Sequence, residues 1–498
     1  MENYYNYKYV DIDEKNKLHV KEEKYKIKIN PVSKKLGVML VGMGGNNGST
    51  FVASLLAYKL KVKWENKNGL NSVDFLGSLY QYGNINIGYK NSKPYTKLMR
   101  ELVTLYNPED IVISGWDINK DNIYESCLKN KVLDFNLLNS LKDDLEKIKP
   151  LSSVYDEKFI ATNQKSRANN LKEEKNKKDY IDSIQIDITN FKHKNKLDKV
   201  IVVWTASTER FNEGNWNTMK DLENSILEND PEISPSILFA IAAIRSNCIF
   251  INGSPQNTIG PSILEMAKKY KTFVGGEDFK TGQTKLKSVL VDFLASSGIK
   301  PLSIVSYNHL GNNDGLNLDE TPQFLSKEIT KRNVIDDIVD ENPKLFTNRK
   351  PEHCVVIKYI KAVGDSKRAM DEYHSELFLD GRSNIVIHNT CEDTLLAVPL
   401  ILDIIIFSEF FSRITFKKED INVGVKNCDY VDIENILNYK EVPFSPNLSL
   451  LSFFFKAPVE DGNPIVNAFF KQKYGLENFI KACVGLPIND FLNIHTKI

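Results

Sequence analysis

Positions 1 to 35 are polar, rich in Tyr and Lys, and read as an extended arm. From Leu36 the texture changes. Leu36-Gly37-Val38-Met39-Leu40-Val41 is a short apolar run of the kind found in strands covered on both faces. Glycines follow, and then Phe51, Leu55 and Tyr58, flanked by Val52 and Leu56, recur at helical spacing. Further strand-like runs stand at Asp110–Gly115, Lys199–Trp204 and Cys248–Asn252, with helical patterns at Asn136–Lys147 and Ile237–Arg245 between them. Alternating strands and helices predict a parallel sheet with helices on both faces. Lys165–Lys178, dominated by Lys, Asn and Glu, interrupts the pattern and predicts a solvated loop without catalytic part.

A helix with Leu286, Val289, Leu290, Phe293 and Leu294 as its apolar face closes this region. Beyond it Pro301–Tyr307, His353–Tyr359, Ser375–Leu379 and Ile385–His388 predict strands with few long helices between them, a second unit built on a sheet. Leu395–Phe411 is strongly apolar but contains Pro399, Asp403 and Glu409. It falls short of the roughly 20 clean residues of a membrane span, so it predicts a buried helix that packs back on the first unit. No internal repeat is present.

Composition narrows the function classes. The chain has 498 residues, 42% of them hydrophobic, enough for several cores. Lys plus Arg equals Asp plus Glu, 65 against 65, so no overall field recruits nucleic acid or an acidic membrane. Cysteines stand at 127, 248, 354, 391, 428 and 483 without a C-x-x-C pair, which reads as buried free thiols in a reducing compartment. Met1-Glu2-Asn3-Tyr4-Tyr5 has neither the basic start nor the apolar core of a secretory signal, which predicts a cytoplasmic chain. The dispersed histidines show no ligand spacing, so no metal site is assigned, and no G-x-S-x-G nucleophile motif appears.

Three features bear on chemistry. Gly42-Met43-Gly44-Gly45-Asn46-Asn47-Gly48 lies between a strand and a helix, where glycines let backbone N–H groups approach a pyrophosphate. The G-x-G-x-x-G pattern would end at 47, which is Asn; the glycine comes at 48, and no Walker lysine follows. Several strands also end in small polar loops, Thr205–Thr208, Asn252–Asn257 and Asn312–Gly315, which are either ordinary turns or the converging walls of a site for a large polar ligand. Finally, Lys327 and Lys331 share a helical face, Lys367 follows Asp365, and Lys456 sits behind Phe453-Phe454-Phe455. Only Lys456 is unusual on pattern alone; most lysines lie on the surface.

These loops, with Ile113-Ser114-Gly115-Trp116-Asp117-Ile118, Ser306–Gly315, Val363-Gly364-Asp365-Ser366-Lys367, His388–Asp393 and Leu486-Pro487, resemble the eukaryotic myo-inositol-1-phosphate synthases from about Leu36 to the end. The resemblance implies an α/β fold: a Rossmann-type parallel sheet domain interrupted by a second α+β domain built on a sheet. The expected divisions are an arm at 1–35, an NAD-binding domain at 36–284, a catalytic and tetramerisation domain at 285–395, and a segment at 396–498 that returns to the first. It implies glucose 6-phosphate as substrate, NAD as cofactor, a homotetramer and a place in inositol and phospholipid biosynthesis. Carbon 5 is oxidised, the neighbouring carbon enolises, the enolate attacks the aldehyde, and the ring ketone is reduced. By resemblance the cofactor contacts are Gly44, Gly45, Asn46, Asn47, Asp117, Ser153, Gln164, Arg167, Thr205, Ala206, Ser207, Thr208, Gly253, Ser254, Asp278, Thr281, Asn312, Asn313, Asp314, Lys327, Gly364, Asp365, Asp393 and Thr394. Lys327, Lys331, Lys367 and Lys456 match the family's active-site lysines, with Asp278 among the catalytic groups. Lys327 and Lys331 either shuttle the carbon 5 hydroxyl proton or hold the phosphate; Lys367 and Lys456 stabilise the aldehyde oxygen and the enolate.

The chain departs from the family at Ser207, where Asn is usual, at Ile259-Gly260-Pro261 and at Tyr82-Gly83; the first two are expected to bear on NAD affinity. Two alternatives stay open. A conventional NAD-linked dehydrogenase acting on a phosphorylated sugar would accumulate NADH, and a non-catalytic NAD-binding regulator would have no need of the lysines.

Overall fold

The computed structural model describes residues 1–91, 93–347, 349–419, 441–444, 448–459 and 465–489. The polar N-terminal stretch, expected as an extended arm, is a hairpin in which β1 (Glu2–Ile12) pairs antiparallel with β2 (Leu18–Ile29). Its turn is fixed by Asp13, whose side chain accepts the backbone N–H groups of Lys15 and Lys17, and its far end is anchored by the buried Ile27 and Ile29.

The strands β3 (Leu36–Val41), β4 (Val112–Asp117), β5 (Leu151–Ser152), β6 (Lys199–Trp204), β7 (Ile249–Asn252) and β8 (Val274–Gly275) form one parallel sheet in the order β8-β7-β6-β3-β4-β5. The chain runs outward from β3 to β5 and resumes on the other side of β3 with β6. That reversal opens a crevice beyond the carboxyl ends of β3 and β6. β3 and β7 are buried along their whole length because both faces are covered. Leu40 and Ile251 share a core with Phe51 and Leu55 of α1 (Asn46–Lys59). Met39 and Phe250 share another with Ile184 of α2 (Lys177–Asn195) and Phe239 of α3 (Pro235–Arg245).

The segment after Lys165 lies at the surface, with no fully buried residue through Lys178, but it is anchored rather than freely solvated. Ser153 donates its N–H to the Asn170 carbonyl and Lys172 donates its own to Ser153, which stitches residues 170–172 to the sheet edge. The Lys172 amine is 2.7 Å from Asp187, and only 9% of its side chain is exposed. A charged run can be held by stem burial and ion pairs where it has no apolar face to offer.

α4 (Gly282–Ser296) leads into a second sheet of β9 (Lys300–Leu310), β10 (Glu352–Tyr359), β11 (Ser366–Glu376) and β12 (Arg382–Glu392), in the order β10-β9-β11-β12. β9 and β10 are parallel, with α5 (Thr321–Arg332) in their crossover; the other pairs are antiparallel. Two expectations fail here. The strand expected at Ser375–Leu379 ends at Glu376, and Leu379 sits in the turn with a left-handed φ of 54°. The face of α4 is also turned. Gln283, Thr284, Lys287 and Ser288 are buried with Val291 and Leu294, while Phe293 is 55% exposed. The polar stripe meets Ser306 and Asp371 on the inner face of this sheet.

α6 (Asp393–Phe411) contains the window long and apolar enough to cross a membrane, and 89% of it is buried in the fold. Asp403 accepts from the Ser78 hydroxyl and the N–H groups of Leu79 and Tyr80, and Glu409 pairs with Arg413 and Ser33, which satisfies both buried acids. β13 (Ile414–Glu419) then adds to β2 and pairs with β14 (Val442–Pro443), while α7 (Phe469–Cys483) packs on the hairpin. The five described cysteines are unbridged. Cys127, Cys248 and Cys483 are buried, but Cys354 is exposed on β10 and Cys391 half-buried on β12; Cys428 lies outside the described residues.

Candidate active site

The crevice is an open cleft walled by the strand-end loops of the parallel sheet and by α5, β11 and the 454–457 segment. Its two ends differ in chemistry.

One end is the glycine loop after β3. Gly42 has φ +86°, and a Cβ there would lie 2.5 Å from the Ala206 backbone. A Cβ on Gly48 would lie 2.4 Å from the Gly42 carbonyl oxygen, which is why the third glycine is needed at 48 while Asn47 is free to line the cleft. No side chain caps α1 at Gly45, so the N–H groups of its first turn are left for an anion. At the end of β4, Asp117 accepts the Gly44 N–H at 2.7 Å; burial raises its pKa against the field of Arg167. An acid at the end of this second strand is where such sheets hold a ribose diol. Thr205–Thr208 after β6, Gly253 and Ser254 after β7, and Ser153, Thr281, Asn312, Asn313, Asp314 and Thr394 complete these walls. Glycine cradle, uncapped helix and buried acid fit NAD.

The other end is cationic. The stretch before α4 runs antiparallel to residues 454–457: Lys280 N–H donates to Phe454, Lys456 N–H to Asp278, and Ala457 N–H to Glu277. These bonds put Lys456 beside Asp278, a residue with left-handed φ of 62°. One Asp278 oxygen accepts from Lys327 at 2.8 Å and from Lys456 at 3.0 Å; the other accepts from Thr330 at 2.8 Å. Burial opposes the charge on Asp278, but the two ammonium groups outweigh it and hold the carboxyl at about 2. Lys456 is 4% exposed, and burial, only partly offset by Asp278, brings its amine down to about 7. Lys327 is mostly buried, with 12% of its side chain exposed, yet Asp278 and Asp314 raise it above the lysine range. Lys367 pairs with Asp393 at 3.1 Å; burial works against both, but the pair keeps the lysine raised and the acid lowered. Lys331 differs. Its one hydrogen-bond partner among the described residues is the neutral Asn308, at 3.0 Å, and burial with the like charges of Lys367, Lys456, Lys287 and Lys327 drives it well below the usual lysine value.

Most of the residues singled out from the sequence meet at this cleft, including Gly45, Asn46, Arg167, Ser207, Lys327, Lys367, Asp393 and Lys456. Five stand behind its wall. Gly44 holds Asp117, Gln164 (fully buried) accepts from Arg167, and Asp365, preceded by Gly364, is bound by Asn312 and Thr394. The fifth, Lys331, is one turn along α5 from Lys327, which lines the cleft. Ile259-Gly260 lies away from the cofactor walls, in a separate cavity of about 600 Å³ with Trp216 and Glu277, so of the two departures tied to NAD affinity only Ser207 faces the cleft. Sequence reasoning passed over Thr330, although its spacing from Lys327 puts it on the same helical face. It also missed Asn308, which lies inside the Ser306–Gly315 motif but was given no role, and Lys287, which no motif marks. Among the described residues no group of three or more His, Cys, Asp or Glu is arranged to hold a metal ion.

The family described as myo-inositol-1-phosphate synthase matches residues 36–481. An inositol-3-phosphate synthase of Brassica napus is 48% identical over 475 residues, covering 94% of this chain and 90% of its own. Inositol-3-phosphate synthase 1-B of Xenopus laevis is 46% identical over 499 residues, covering 96% and 84%. The crystal structure of inositol-3-phosphate synthase from Caenorhabditis elegans aligns with a TM-score of 0.92 at 43% identity, covering 100% of this chain and 96% of that one.

Proposed function

The chain belongs to the myo-inositol-1-phosphate synthase family, and from that premise we propose a division of labour among the residues of its cleft. The reaction is the NAD-dependent conversion of glucose 6-phosphate to an inositol phosphate, a net isomerisation. Bound NAD supplies the oxidising and then the reducing power at carbon 5. The chain's own residues supply the rest. Lys331, the lysine without an acid partner, takes the carbon 5 hydroxyl proton and later returns it. Lys327 stays charged on Asp278 and holds the dianionic phosphate. Lys367 and Lys456 stabilise the aldehyde oxygen and the enolate, charges that develop in a closed site where water cannot compete. Asp278 holds Lys327 and Lys456 within reach of one another and offsets their repulsion. The sharing of one buried carboxylate by two lysines at the far end of a dinucleotide cleft is what carries this reading.

Four copies assemble in this proposal. The outer face of the second sheet leaves Tyr307, Met370 and Val386 about half exposed, an apolar surface suited to a second copy. The cytoplasm is the proposed compartment, supported by the five unbridged cysteines, with the product feeding phospholipid biosynthesis. Incubation of the purified protein with glucose 6-phosphate and NAD should yield a periodate-sensitive inositol phosphate; failure to form it would overturn the reading.

A further inference from the structure

A cluster behind the cleft has no part in the scheme above. Lys287, on the buried polar stripe of α4, donates to the Ser306 hydroxyl and to His353 Nε2, each at 2.8 Å. A ring that accepts from an ammonium carries its proton on Nδ1, and His353 Nδ1 lies 3.3 Å from the Arg332 carbonyl, one residue after Lys331 at the end of α5. Burial and the Lys287 charge hold this imidazole neutral, at about 2. Lys331 in turn is bound to Asn308. Ser306 and Asn308 are two apart on β9 and share its inner face, so the two lysines stand over neighbouring positions roughly 7 Å apart along the strand. Neither forms an ion pair with a carboxylate among the described residues. Burial brings the Lys287 amine down to about 8, only partly offset by Asp371, which stands opposite Ser306 on β11 and is bound by Gln283 of α4. Lys331 faces Lys327 from its own helix, Lys367 from β11 and Lys456 from the 454–457 segment.

We propose that Lys287 is a positioning residue for the isomerisation: fixed on Ser306 and His353, its charge keeps Lys331 a free amine able to take the carbon 5 proton. This deepens the role given to Lys331 and rests on it. The proton passes from the hydroxyl oxygen to Lys331 Nζ when carbon 5 is oxidised and back when the ketone is reduced, so none is consumed.

The test is the pH profile of kcat, with NAD affinity and Tm measured alongside. Removing a like charge makes Lys331 easier to protonate. In Lys287→Met the acid limb should move up by about one pH unit, with kcat lowered by up to about tenfold on that limb and unchanged on the plateau above it. Lys287→Gln retains a hydrogen-bond donor for Ser306 or His353, guards against a Met variant that does not fold, and should behave alike. Lys287→Arg should leave the limb in place, with NAD affinity unchanged throughout. A folded Met or Gln variant whose limb does not move, or which loses turnover equally at every pH, overturns the proposal. If instead Lys331→Met keeps both turnover and the acid limb, the assignment of Lys331 itself fails, and that result is separable from the first.

Discussion

Asp278 anchors the site: without its carboxylate, Lys327 and Lys456 would be two like charges in a largely buried setting with no acid shared between them. Lys456 is held by that acid rather than reaching for water, although snorkelling is the ordinary behaviour of a lysine beside apolar residues. Lys456→Met keeps most of the apolar bulk. It should fold and bind NAD nearly as before while turnover falls about 100-fold or more, as expected when a group acts only on charge formed in the transition state. A Met variant with near wild-type turnover would remove Lys456 from the mechanism. A second buried acid gives a pH prediction for stability. Glu209 is fully buried, with Ser236 donating both its N–H and its hydroxyl, and burial still raises its pKa to about 7. Between about 4.5 and 7 the unfolded chain has released this proton and the folded chain retains it, so folding stability declines as pH rises through that window. Glu209→Gln should flatten the decline of Tm between pH 5 and 7; an unchanged slope would show that the group titrates normally in the fold.

At the scale of the element, hydrophobic patterning was informative where the environment is apolar and misleading where it is chemical. β3, β6 and β7 were legible because a strand covered on both faces must be almost continuously apolar. β11 was misplaced because its inner positions include Ala369 and Asp371, the latter bound by Gln283 of α4, and these break the apolar signal. α4 was assigned the wrong face for the same reason: its stripe of Gln283, Thr284, Lys287 and Ser288 is turned inward, against the reading of an ordinary amphipathic helix. Lys456 stood out because three phenylalanines precede it, whereas Lys287 in a lysine-rich chain gave no cue. The segment at 170–172 shows the reverse error, a charged run with structural work to do. Asp187 receives both the Lys172 amine and the Trp116 indole N–H, which ties this segment to β4. Lys172→Ala should therefore cost about 1–3 kcal/mol in denaturant unfolding, as for the loss of a partly buried bond to a charged group. A change within about 0.5 kcal/mol, the usual range for surface positions, would restore the solvated-loop reading.

Across the whole molecule, the parallel sheet supplies the glycine loop and the polar strand ends, while α5, β11 and the 454–457 segment bring lysines from distant parts of the sequence to the other end of the same cleft. The cofactor end and the cationic end are thus held in fixed register by backbone hydrogen bonds, which suits a reaction that opens and closes an oxidation cycle on one bound substrate. The same arrangement leaves the outer face of the second sheet for assembly. Val386→Asp, on that face and 60% exposed, should reduce the mass measured by light scattering below that of the proposed tetramer without unfolding the chain. An unchanged mass would take this surface out of the interface. The most direct measurement follows absorbance in the NADH band while inositol phosphate is counted, with NAD supplied well below the glucose 6-phosphate. A closed oxidation and reduction cycle predicts many product molecules per NAD and a flat NADH signal. One NADH released for each product would contradict it and make the protein a dehydrogenase.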